Sequence, residues 1–81
     1  MVVIRAHASE KASRLLEENV ITLIVERNAN KHQVKRFLEE RFGVKVLDVR
    51  TLITSRGEKK AYVKLAPEFS AKDLSVKLGT V

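Results

Sequence analysis

Apolar positions along this chain recur with two different periods, and the changes of period divide it into elements. Ala12, Leu15 and Leu16 make one stripe at helical spacing and predict a first helix. Ser9 is placed to cap that helix, Glu10 sits beside the positive end of its dipole, and Asn19 offers a stop. Ahead of it, Val2 to Ile4 can add a short edge strand. Val20 to Arg27 begins as an unbroken β-branched and apolar run, the pattern of a strand buried on both faces. Asn30 with Gln33 three residues on forms a capping-box sequence. Val34, Phe37, Leu38 and Phe42 then recur at helical spacing, and Gly43 supplies a left-handed stop for this second helix.

Alternation with period two returns after Gly43, with one fault. Val44 to Thr54 reads as a long strand, yet Val44 and Val46 face one way while Leu47, Val49 and Ile53 face the other. A bulge or twist near Val46 and Leu47 reconciles them. Ser55-Arg56-Gly57-Glu58 predicts a hairpin turn. Lys59 to Ala66 returns with Ala61, Val63 and Leu65 on one face and Lys60, Tyr62 and Lys64 on the other. Beyond Pro67, Ser70 caps a short last helix whose Leu74 and Leu78 face the core, with Gly79 at its end. The expected order is (β)αβαββα, an α+β sandwich in which helices pack on a mainly antiparallel sheet of three to four strands. Residues 1–81 make a single domain.

Size and composition narrow the function classes. A domain of 81 residues buries only about 60% of the surface of its unfolded chain, which leaves little core to give up to a deep catalytic pocket. The absence of cysteine excludes a disulfide framework and a thiolate metal site. The N-terminal apolar run is too short for a signal peptide, and Val20 to Val25 is far below the roughly 20 residues of a membrane span. The chain therefore reads as soluble, without membrane insertion. Its formal net charge of +6 is unevenly spread: Arg27 to Lys64 holds eleven Lys or Arg against four acids, giving +7, and the remainder five against six, giving −1. An excess gathered into one contiguous half points to a polyanionic partner.

The candidate chemistry follows from that half. Lys60, Tyr62 and Lys64 place a flat ring between two ammonium groups, an arrangement that stacks an unpaired base while neutralising nearby phosphates. The plainer reading is a tyrosine covering the sheet between solvated lysines. Arg50, Leu52 and Thr54 share one face of the preceding strand, and Arg56 sits in the hairpin beside Lys59, so pairing across the turn would merge the cations into one ribbon. Lys31 and Lys35 stand one turn apart on the second helix. The start of that helix at Asn30 offers N–H groups to a phosphate, with Arg27 just before it. Such a surface suits double-stranded or folded RNA, read by shape and backbone. His7 and His32 lack partners at metal-ligand spacing. The pairs Glu17-Glu18 and Glu39-Glu40 point in different directions on their helices. Neither a catalytic signature nor a cofactor site emerges.

The ordered motifs resemble a known family. Ala8-Ser9-Glu10-Lys11-Ala12 is similar to the N-terminal Thr/Ser-Glu-Lys-Ala signature of the universal large-subunit ribosomal protein family called L twenty-three. Arg27 to Lys35 resembles the entry to that family's second helix. Val44-Lys45-Val46, Val49-Arg50-Thr51-Leu52 and Gly57 to Val63 resemble its two C-terminal strands. Nearly the whole chain is covered, with the motifs in order. The resemblance implies a structural, non-enzymatic protein of the large subunit in the cytoplasm that binds large-subunit rRNA near the polypeptide exit tunnel, beside neighbouring ribosomal proteins. The residues expected to meet RNA are Arg27, Asn30, Lys31, Lys35, Arg50, Thr51, Thr54, Arg56, Lys59, Lys60, Tyr62 and Lys64. The resemblance also implies that Ser9 and Glu10 help dock the signal recognition particle or other nascent-chain factors. Arg50 stands where the family usually has asparagine, and Gly43 where bacterial members have a second acidic docking contact. The hairpin at Ser55 to Glu58 lacks the long basic extension of bacterial members, which marks an archaeal or eukaryote-like form.

Two other classes compete with this reading. A small basic RNA-binding or protein-docking module of another ribonucleoprotein would show the same charge pattern. A small α+β phosphatase would need a glycine-rich anion loop, and Gly57 alone does not make one.

Overall fold

Residues 2–78 are described by a computed structural model, and the helix starts fall where the capping sequences place them. α1 (Glu10–Glu17) opens on Ser9, whose Oγ accepts from the Ala12 N–H at 3.0 Å. α2 (Lys31–Phe42) opens on a complete capping box, with Gln33 N–H donating to Asn30 Oδ1 and Asn30 N–H to Gln33 Oε1, both at 2.9 Å. Gly43 closes it at φ +67°, a conformation a side chain would strain. α3 (Ala71–Lys77) is capped by Ser70; the expected stop at Gly79 lies outside the described residues.

The strands are β1 (Val3–Ala6), β2 (Val20–Val25), β3 (Val46–Ile53) and β4 (Lys59–Leu65). Among the described residues they form one four-stranded antiparallel sheet in the order β1-β2-β4-β3. The α+β class expected from the sequence holds, and the N-terminal segment supplies the edge strand. β2 is interior and buried at every position but its first, as its unbroken apolar run requires. The fault in alternation is a bulge: the register of β3 against β4 shifts between Val46 and Asp48. Leu47 is the extra residue. It is left 53% exposed while Val46 and Val49, on either side, both reach the core.

One face of the sheet carries the core. Ile21, Leu23 and Val25 of β2 and Ala61, Val63 and Leu65 of β4 meet Val34 and Leu38 of α2 and Ala71 and Leu74 of α3. Each fully buried branched side chain contributes about 1.5–3 kcal/mol. α1 packs beside β2: Ala12 is buried and Leu16 turns to the core, while Lys11, Leu15 and Glu18 border a groove with Val20 and Tyr62. Ala12 and Ile24, though buried, stand apart from the main cluster.

The expected stop at Asn19 does more than end a helix. It adopts φ +63°, and its side-chain amide donates to the carbonyls of Leu65 (3.1 Å), Ala66 (3.1 Å) and Phe69 (2.9 Å). Its Oδ1 accepts from the Ala71 N–H at 2.8 Å, at the start of α3. One asparagine thus ties the α1–β2 turn to the β4–α3 connection.

Candidate nucleic-acid interface

Strand register builds the open face of the sheet. Residues paired directly across strands share a face, and on the side away from the core β2, β4 and β3 align in three rows. These are Val20–Lys64–Asp48, Thr22–Tyr62–Arg50 and Ile24–Lys60–Leu52. Tyr62 occupies the centre, with Lys60 and Lys64 along its own strand and Arg50 across from it. The sequence reading of Lys60, Tyr62, Lys64 and Arg50 as one surface is therefore realised. Asp48 stands 3.5 Å from Arg50, but both are well exposed, so their attraction is screened and weak. Arg5 of β1 joins the same side opposite Ile24 and pairs with Glu58 at 3.0 Å.

A cation the sequence reading passed over completes this face. The Lys11 ammonium lies over the Tyr62 ring, 5.8 Å from its centroid. A usable signal existed: Lys11 precedes Leu15 by four residues, so both lie on one stripe of α1. Glu10, by contrast, is exposed at the first position of that helix, and Ser9 is exposed beside it with its hydroxyl engaged as the cap. Consecutive residues of one turn thus carry opposite charges into different surroundings.

Two clefts meet at Lys11 and Tyr62. The larger, of about 440 Å³, runs between Lys11 and Leu15 of α1 with Glu18 at its C-cap, and Tyr62, Lys64, Arg50 and Asp48 of the sheet. The smaller, of about 140 Å³, lies between His7, Ser9, Lys11 and Ala12 on one side and Thr22, Lys60 and Tyr62 on the other. Thr22 is 2% exposed, and its hydroxyl has no hydrogen-bond partner. Partial burial, with Lys60 and Arg5 nearby, holds the His7 imidazole below its ordinary pKa, only partly countered by Glu58.

The other expected contacts are placed elsewhere. Thr51 pairs with Ala61 and so faces away from Arg50, though it is exposed at the β3 edge. Thr54 anchors the hairpin by donating its N–H to Glu58 O at 2.8 Å, and its Oγ1 is buried without a partner. Lys59 is turned from Lys60, and its ammonium donates to Ala29 O at 2.6 Å and more weakly to Arg27 O at 3.5 Å. The Arg27 guanidinium lies beside Gly57, 3.8 Å from where a Cβ would stand. Arg27, Arg56 and the start of α2 at Asn30 therefore gather at the hairpin end. The capping box already engages the Asn30 side chain and backbone N–H. Lys31 and Lys35 are exposed on α2, which covers the core face. The basic surface is accordingly two-sided rather than one ribbon, joined around the hairpin end.

The sequence has relatives among known proteins. The model of the family described as ribosomal protein L23 matches residues 1–78. The large ribosomal subunit protein uL23 of Pyrobaculum aerophilum is 56% identical over 78 residues, covering 95% of this chain and 96% of that relative.

Proposed function

This chain belongs to the ribosomal protein L23 family, and from that premise we propose that its open sheet face and hairpin end hold large-subunit rRNA near the polypeptide exit tunnel. Membership makes it a structural constituent of the large subunit of the cytoplasmic ribosome, with no enzymatic role. The observation that carries the finer reading is the row Thr22–Tyr62–Arg50, flanked by Lys60 and Lys64. It sets one aromatic ring among three cations on the face that the helices α2 and α3 leave uncovered. Aromatic rings stack bases, and cations around them meet the phosphates.

Phosphate neutralisation releases counterions, so affinity for a large-subunit rRNA fragment falls steeply with added salt. Converting Lys60 and Lys64 to glutamate weakens that binding and flattens the salt dependence. Binding indifferent both to salt and to this double change would remove the open face from the contact.

A second role rests on Glu10. An exposed carboxylate at the start of α1, on a chain of net charge +6, offers a docking point for a basic surface on the signal recognition particle or another factor that meets nascent chains. Neighbouring ribosomal proteins complete the set of partners. Glu10→Lys is expected to impair factor recruitment to assembled subunits without loss of rRNA binding; unchanged recruitment would count against this role.

A further inference from the structure

The double cleft at Lys11 and Tyr62 has features that a flat phosphate-binding surface does not need. The larger cleft is lined by Leu15, Val20 and the Tyr62 ring together with the cations Lys11, Arg50 and Lys64, set against the carboxylates Glu18 and Asp48. Its volume of about 440 Å³ falls within the roughly 300–1,000 Å³ of small-molecule sites. The smaller cleft adjoins it through the shared residues Lys11 and Tyr62, and sits between Lys11 and Lys60 at the start of α1. Its wall includes Thr22, whose hydroxyl is buried and has no hydrogen-bond partner. Buried polar groups are normally satisfied, so an unpartnered hydroxyl lining a cationic cleft marks a place for a ligand oxygen.

We infer that this double cleft holds one unpaired RNA nucleotide, its base against the Tyr62 ring in the larger cleft and its phosphate between Lys11 and Lys60 in the smaller. The inference rests on the rRNA-binding reading and narrows it to a single extruded nucleotide. Lys11 now lies over the ring. A base that takes this position displaces the ammonium toward the phosphate, replacing an exposed cation–π contact with a stack and a charge pair. The buried, unpartnered Thr22 hydroxyl at the wall of the smaller cleft is the donor this arrangement assigns to a phosphate oxygen.

The chain has one tyrosine and no tryptophan, so its intrinsic emission reports on Tyr62 alone. The full-length protein is titrated with a fluorophore-labelled single-stranded RNA hexamer, the same hexamer lacking bases, an RNA duplex, and inorganic phosphate. Anisotropy reads binding for the labelled RNAs and tyrosine emission reads stacking. The expected result is saturable quenching by the single strand only, with the base-free hexamer and the duplex binding without quenching. Tyr62→Leu then weakens the single strand on the order of tenfold, with a smaller effect on the base-free chain. Thr22→Val, which preserves shape, weakens the single strand and the base-free chain alike while leaving the quench at saturation intact; unfolding of either variant is read by circular dichroism. RNA binding without any quench would overturn the nucleotide site and leave the rRNA reading standing. Equal quenching by the base-free hexamer or by inorganic phosphate would also overturn it, because Tyr62 would then sense charge rather than a base. Failure of every RNA, including a large-subunit rRNA fragment, to bind would overturn both.

Discussion

At the scale of single residues, Asn19 and His7 show how position converts ordinary side chains into special ones. Asn19 combines a left-handed backbone with bonds to three carbonyls and one N–H on the far connection. Replacing it with alanine strains the backbone by about 1–2 kcal/mol and leaves partly buried carbonyls short of a donor. The expected loss is about 3 kcal/mol in total, read as a lower urea midpoint at unchanged slope. Asn19→Gly relieves the strain but not the lost bonds, so it should fall between alanine and the native chain. His7 titrates below the ordinary imidazole value of 6.5 because of partial burial and the cations Lys60 and Arg5, with Glu58 opposing them. As pH falls below 6.5 the unfolded chain takes up a proton that folded His7 resists, so stability drops through that window. His7→Gln removes this part of the acid slope. A phosphate in the adjoining cleft reverses the environment and favours the imidazolium, so affinity for single-stranded RNA should rise as pH is lowered from 7 toward 6. An RNA affinity flat across that range would place the phosphate away from His7.

At the scale of elements, much was legible because capping and periodicity are local. Ser9, Asn30 with Gln33, Gly43 and Ser70 marked helix ends that the structure reproduces. The conflict between Val46 and Val49 was itself the signature of the bulge that leaves Leu47 outside. What local pattern could not supply was the far side of a contact. Asn19 read as a helix stop, since its partners lie across the chain. Lys11 was given no role of its own, because nothing in α1 alone puts a tyrosine beneath it. Lys59 was grouped with its neighbours in one ribbon, although alternation already separated it from Lys60. Its ammonium bolts β4 to the loop before α2 through Ala29 O. Neighbouring substitutions should therefore have different consequences. Lys59→Met is expected to lower stability by about 1 kcal/mol with a small change in RNA affinity, whereas Lys60→Met lowers RNA affinity with little change in stability. Urea titration and filter binding on both variants check this; identical profiles would mean that the two lysines act as one cluster.

At the scale of the whole molecule, the cations divide between the open sheet face and the outer side of α2, with the hairpin end between them. Charge reversal at Lys60 and Lys64 and at Lys31 and Lys35 should each weaken rRNA binding. The two losses should add, because these pairs sit on different sides and share no partner. Each phosphate contact removed lowers the steepness of the salt dependence by about 0.7–0.9 in log units. If the α2 pair contributes nothing, the RNA meets only one side. The clamp at Asn19 has a consequence in time as well as in space. Its partners lie 46 to 52 residues later in the chain, and β2 finds its inner neighbour only when β4 exists. During synthesis β1, α1 and β2 therefore leave the ribosome with only one another as partners, well before β4 and Ala71 can complete the sheet and the clamp. A nascent chain halted before Ala71 lacks both the clamp and its bond to the start of α3, and is expected to be cut by proteases faster than the complete chain.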